Sequence, residues 1–71
     1  MKVVINWCAG QMPNQAEGTI DDKPFYFRAR HGYWTLKVDG KEFEGEHPNA
    51  GWFEPDEAKK FLMMVINTTQ K

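Results

Sequence analysis

The chain has one cysteine, Cys8, in 71 residues, so no disulfide can form within it and packing alone must hold the fold. Cysteine scarcity of this kind points to a reducing compartment, and the expected location is cytoplasmic. Long hydrophobic runs are also missing. Val3-Val4-Ile5, preceded by Lys2, is far too short for a signal peptide or a membrane span, and residues 61–66 are too short as well. No membrane partner is expected. Metal-ligand spacing is absent too: Cys8, His31 and His47 offer neither a Cys-x-x-Cys pair nor paired histidines, so no metal and no cofactor is expected. Nothing in their spacing brings the thiol and an imidazole together as a nucleophile and base, and the acids show no spacing that marks a catalytic pair. The chain is therefore read as non-catalytic, with no catalytic residue.

Ten aromatic residues are what the chain has in abundance, and half of them fall in one stretch. Residues 25–38 hold two aromatic-rich runs joined by His31-Gly32, the pattern of a tight β-hairpin, because glycine takes the positive φ that such turns need. A two-residue loop sets Phe25 opposite Val38, Phe27 opposite Leu36, Ala29 opposite Trp34 and Arg30 opposite Tyr33. Successive side chains alternate across a strand, so one face is apolar and the other carries Tyr26, Arg28, Arg30, Tyr33, Thr35 and Lys37.

The flanking segments extend the hairpin. Residues 2–8 read as a strand with Val3, Ile5 and Trp7 on one side and Val4, Asn6 and Cys8 on the other. Residues 9–14, with Gly10 and Pro13, read as a loop. Residues 15–21 form a second strand, joined through Asp22-Lys23, which sets Ile20 opposite Phe25 and Glu17 opposite Arg28. Asp39-Gly40 makes residues 41–45 another strand, with Phe43 opposite Leu36 and Glu42 opposite Lys37. Ile20, Phe25, Phe27, Trp34, Leu36, Val38 and Phe43 then share one face, the predicted core.

After a loop over residues 47–53, Glu54 stands at a helix cap position, Pro55 is the first helical residue, and Asp56 and Glu57 favour the positive end of the helix dipole. Ala58, Phe61, Leu62, Val65 and Ile66 recur at helical spacing as the buried stripe, with Met64 at its margin and Met63 on the exposed side. The expectation is one domain spanning residues 1–71, an α+β fold with a four- or five-stranded antiparallel meander and one carboxy-terminal helix across its apolar face. A domain this small buries only about 60% of its unfolded surface, so a homodimer or a bound partner would add stability.

Charge is nearly balanced at −1, but it is unevenly placed. Residues 39–57 hold seven acids against Lys41 alone, a local charge of −6. Glu42, Glu44 and Glu46 on a strand, with Glu54, Asp56 and Glu57 at the helix start, are candidates for an acidic partner-binding surface resembling a phosphate backbone. On a structural reading the same residues guard a sheet edge and suit a helix start. Trp52, Phe53, Met63 and Met64 are candidates for an apolar partner or dimer contact. Tyr26, Arg28, Arg30, Tyr33 and Lys37 are the alternative, a nucleic-acid-binding face on which tyrosines stack and cations meet phosphates. The predicted register opposes it, because it gives nearly every cation a carboxylate neighbour.

At Gly18-Thr19-Ile20-Asp21 followed by Lys23-Pro24-Phe25-Tyr26-Phe27-Arg28-Ala29-Arg30, and at Ala50-Gly51-Trp52 with Pro55-Asp56-Glu57-Ala58, the chain resembles a set of short uncharacterised bacterial and phage-borne proteins. The likeness runs loosely over residues 18–58, and its most specific part is Phe-Tyr-Phe-Arg-Ala-Arg. Those proteins often have glycine where Asp22 stands. The resemblance implies a setting on a mobile element and no mechanism. With the acidic segment it leads to the expected function: a protein-binding module of anti-CRISPR type, inhibiting a host defence or nucleic-acid enzyme. The expected partner is a host protein, with nucleic acid as the alternative.

Overall fold

The computed structural model describes residues 1–9, 11 and 13–70. Five strands, β1 (Val3–Ala9), β2 (Asn14–Ile20), β3 (Lys23–Arg30), β4 (Tyr33–Val38) and β5 (Lys41–Glu46), are followed by one helix, α1 (Pro55–Thr69). The strands form an open antiparallel sheet in sequence order, and α1 covers its apolar face in contact with β1, an α+β fold. Of the loop expected over residues 9–14, Gly10 and Met12 lie outside the described residues, while Ala9 and Asn14 belong to strands.

Three tight turns set the registers. In each, both central residues have positive φ, as the primed hairpin turn requires: Asp21 at 50° and Asp22 at 68°, His31 at 53° and Gly32 at 78°, Asp39 at 48° and Gly40 at 83°. The second and third turns stand where the sequence places them, and Phe25 faces Val38 while Leu36 faces Phe43. The first turn differs. It is made by Asp21-Asp22 rather than Asp22-Lys23, so Gly18 faces Phe25 and Glu17 faces Tyr26 instead of Arg28. Lys2 N donates to Asp21 Oδ1 at 2.7 Å, and Asp21 N donates to Lys2 O at 2.8 Å, which anchors the turn at that position.

Asp22 occupies a backbone region that costs a side-chain-bearing residue about 1–2 kcal/mol in regular structure and costs glycine none. Asp22→Gly is therefore expected to raise stability by about 0.5 kcal/mol or more, after the extra freedom of glycine in the unfolded chain is allowed for. A thermal melt checks it, and a lowered midpoint would refute the assignment of strain to this turn.

Within β1 the register shifts between Ile5 and Trp7, a β-bulge. Ile5 faces Gly18, yet Trp7 faces Glu17, so the strand's sides exchange at Asn6. Val3, Ile5 and Cys8 pack toward the core, while Val4 and Trp7 stand on the outer face. The uninterrupted alternation expected for β1 is thereby corrected.

The core consists of Ile20, Phe25, Phe27, Leu36 and Val38 from the sheet with Ala58, Phe61, Leu62, Val65 and Ile66 from α1, completed by Ala16, Ala29, Ala50 and Phe53. Burying Leu62, Val65 and Ile66 contributes about 1.5–3 kcal/mol each. Phe61 is the centre of an aromatic cluster, its ring centroid 4.9 Å from Phe53, 5.0 Å from His47 and 6.2 Å from both Phe27 and Trp34. Gly45 sits opposite Trp34, and a Cβ there would come within 2.6 Å of the indole, so the glycine is the space into which Trp34 folds. At the helix start Glu54 is the cap residue, and Ala58 N donates to Glu54 O at 2.8 Å.

The two methionines are reversed from their expected places. Met63 is half-buried against the core and Met64 is 55% exposed. Because α1 lies in contact with β1, the covered arc of the helix extends to the flank that carries Met63.

The loop over residues 47–53 is tied down at both ends. Gly32 N donates to Ala50 O and His47 N to Gly32 O, each at 3.0 Å, which fastens it to the β3–β4 turn. Asn14, fully buried on the core face, donates through Nδ2 to Phe53 O at 2.9 Å and accepts from Phe53 N at 3.0 Å through Oδ1. Its amide thus substitutes for a strand neighbour and holds Phe53 against Phe61.

Candidate functional site

The outer face of the sheet is the surface that the fold leaves open, and its side chains lie in cross-strand rows. Trp7, Glu17, Tyr26, Lys37 and Glu42 form one row. Trp7 Nε1 donates to Glu17 Oε2 at 3.3 Å, and Lys37 Nζ lies 3.7 Å from Glu42 Oε2. Gln15, Arg28, Thr35 and Glu44 form the next row, and Arg30, Tyr33 and Glu46 the third. Tyr26 O–H leaves its own row to donate to Gln15 Oε1 at 3.0 Å.

The changed β2–β3 register alters the electrostatics of β3. Both direct neighbours of Arg28 are neutral, Gln15 and Thr35, and Arg30 faces Tyr33. Lys37–Glu42 is the only ion pair among the described residues, so the general pairing of cations expected across this face does not form. Arg28, Arg30, His31, Tyr33 and Thr35 line a shallow recess of about 270 Å³.

The acidic residues fall into two groups on opposite layers. Glu42, Glu44 and Glu46 project from the outer face of β5, and all three are exposed. Glu54, Asp56 and Glu57 are exposed at the start of α1, which covers the other face. Gln11 Nε2 donates to Glu54 Oε1 at 3.2 Å, and Glu57 Oε1 accepts from Glu54 N at 3.4 Å, so two of these carboxylates serve the helix start. The six do not form one surface.

The β5 row acts on its neighbour Tyr33. The interaction of its O–H with the Glu44 carboxylate raises the phenol pKa above its usual 10.0, with burial and the charges of Glu44, Glu42 and Glu46 adding to the effect. Folded Tyr33 therefore keeps its proton to higher pH than the unfolded chain does. Its contribution to stability is complete below pH 10 and is lost as pH rises through the folded pKa. Glu44→Gln is expected to move tyrosinate formation at Tyr33 to lower pH, followed by absorbance against a Tyr26→Phe background. An unmoved titration would show that Glu44 does not hold the phenol.

The apolar candidates are dispersed. Phe53 is buried in the aromatic cluster, Met63 is half-buried, and Trp52 and Met64 are each 55% exposed. Cys8 is half-buried, and burial pushes its thiol pKa up against the opposing charge of Lys59, the reverse of what a thiolate nucleophile needs. His31 is an exposed turn residue, and His47 Nδ1 accepts from Asn49 N at 3.1 Å while its ring packs on Phe53 and Phe61. Among the described residues no group of three or more His, Cys, Asp or Glu side chains gathers as a metal site would need. No helix of the described residues is long and apolar enough to cross a membrane.

Two features of this face have no signal in the sequence pattern: the outward turn of Trp7, produced by the bulge, and the place of Gln15 beside Arg28. Comparison of the chain with protein-family models, with curated proteins and with solved structures found no match.

Proposed function

We propose that this chain is a non-catalytic, cytoplasmic protein-binding module of the kind a mobile element encodes against a host defence or nucleic-acid enzyme, in the manner of an anti-CRISPR. It docks the acidic row of β5 onto a basic surface of that enzyme. One observation carries the reading: Glu42, Glu44 and Glu46 repeat on the same face of an open edge strand, all exposed. Alternate residues of a strand lie about 7 Å apart, so the row is a regular line of negative charge such as a nucleic-acid-binding groove attracts. The carboxylates at the start of α1 lie on the other layer and are left out of the contact.

The test is capture from host lysate by the wild-type chain and by a chain carrying Glu42→Lys, Glu44→Lys and Glu46→Lys. These positions are exposed, so the variant keeps its fold, which circular dichroism checks. Partner capture should be lost, and the wild-type complex should be released by added oligonucleotide. Undiminished capture by the reversed chain removes the reading.

The neutral neighbours of Arg28 support a second reading, a nucleic-acid-binding face at the recess of Arg28, Arg30 and Tyr33, with Tyr26 and Lys37 beside it. It requires salt-dependent oligonucleotide binding that weakens in Arg28→Ala/Arg30→Ala. Absence of any gel shift at low salt ends it.

A further inference from the structure

The two edges of the open sheet differ in chemistry. β5 carries Lys41, Glu42, Glu44 and Glu46, charges that discourage an edge from pairing with another chain. β1 reads Val-Val-Ile-Asn-Trp-Cys-Ala, with neither charge nor proline. Among the described residues no strand pairs with its far side. Its outer face shows Val4 and Trp7, 41% and 42% exposed. The bond from Asp21 N to Lys2 O fixes the backbone alternation. Lys2 and Val4 turn their peptide groups to β2, and Val3 and Ile5 turn theirs to the open edge.

We propose that β1 pairs antiparallel with β1 of a second copy of this chain, about a two-fold axis beside Val4, to make a ten-stranded sheet. In that register Val3 of each copy exchanges both backbone hydrogen bonds with Ile5 of the other. Val4 meets its counterpart in the closer, non-hydrogen-bonded type of pair, with Cα atoms about 4.5 Å apart. The axis is perpendicular to the sheet, so both helices lie on one side and the half-buried Val3 and Ile5 of the two copies continue a single core. The bulge at Asn6 ends the ladder.

A second copy fits this edge better than a β5-like strand does. Joining β1 to β5 would set Val4 and Trp7 against Glu42 and Glu44 and leave an edge free at each end for further growth. Two-fold pairing through β1 leaves only the charged β5 edges, so assembly closes at the dimer. It also leaves the acidic row of β5 free.

Sedimentation equilibrium should give twice the chain mass, falling to the single mass on dilution. Val4→Lys, which places two ammonium groups side by side at the axis, should give the single mass at every concentration. Glu44→Lys on the other edge should keep the dimer. In the wild-type chain the amides of Val3 and Ile5 should be protected from hydrogen exchange in a concentration-dependent way. The proposal is overturned by a wild-type chain at single mass throughout, by a dimeric Val4→Lys chain, by a monomeric Glu44→Lys chain, or by Val3 and Ile5 amides whose exchange ignores concentration.

Discussion

Phe61→Ala is expected to remove a large share of the stability of this fold. Truncating a buried phenylalanine costs about 3–5 kcal/mol, and a domain of this length has only about 4–11 kcal/mol in total at ordinary stability per residue. The cost falls at the high end because the ring touches Phe27, Trp34, His47 and Phe53 at once. These neighbours come from β3, β4 and the loop before α1, and they cannot all collapse into the space. Urea denaturation should show a strongly lowered midpoint for Phe61→Ala and a smaller loss for Phe61→Leu, which keeps much of the volume. If Phe61→Ala loses no more than Met64→Ala, whose side chain is largely in solvent, then the aromatic cluster does not hold the helix.

Asn14→Ala is expected to cost about 2–5 kcal/mol. It strips a donor from Phe53 O and an acceptor from Phe53 N in a buried place, and each unsatisfied buried group costs about 1–3 kcal/mol. Asn14→Asp separates the two contributions. The carboxylate can still accept from Phe53 N, but it sets an oxygen against Phe53 O and carries a charge into the core, so it should be at least as damaging as alanine near neutral pH and milder in acid. Chemical denaturation at two pH values reads both. An Asn14→Ala chain as stable as wild type would mean that the loop is held by Gly32, by Gln11, whose Nε2 donates to Trp52 O at 2.9 Å, and by packing.

The pleat explains which sequence inferences survived. Moving the first turn from Asp22-Lys23 to Asp21-Asp22 shifts the β2–β3 register by two residues, an even number. Ile20 therefore stays on the core face even though every partner of β2 on β3 differs from the expected one. The same shift sets Gln15 rather than Glu17 beside Arg28, which removes the carboxylate neighbour expected for its guanidinium. The bulge at Asn6 is a shift of one and exchanges Trp7 with Cys8, because an odd slip reverses faces. No residue type at 5–7 announces it. Asn14 was hidden for another reason: next to Pro13 an asparagine reads as loop, and only the tertiary position of Phe53 makes its amide a buried tie. On the helix, the buried stripe follows from spacing alone, but the places of Met63 and Met64 depend on the contact of α1 with β1, which the helical spacing does not contain. The acidic residues were legible as a composition block, and their division between two layers follows from the chain reversal between β5 and α1.

The meander also bears on the order in which the molecule assembles. Each strand pairs only with its neighbours in the chain, so most of the sheet can close through short loops, a topology associated with rapid folding. The tie between Asn14 and Phe53 spans 39 residues and cannot form until the hairpins are in place. Its loss in Asn14→Ala should therefore appear chiefly as faster unfolding, with the refolding rate nearly unchanged. The buried amide is a latch on a finished sheet, and it sets how long the native state lasts rather than how soon it is reached.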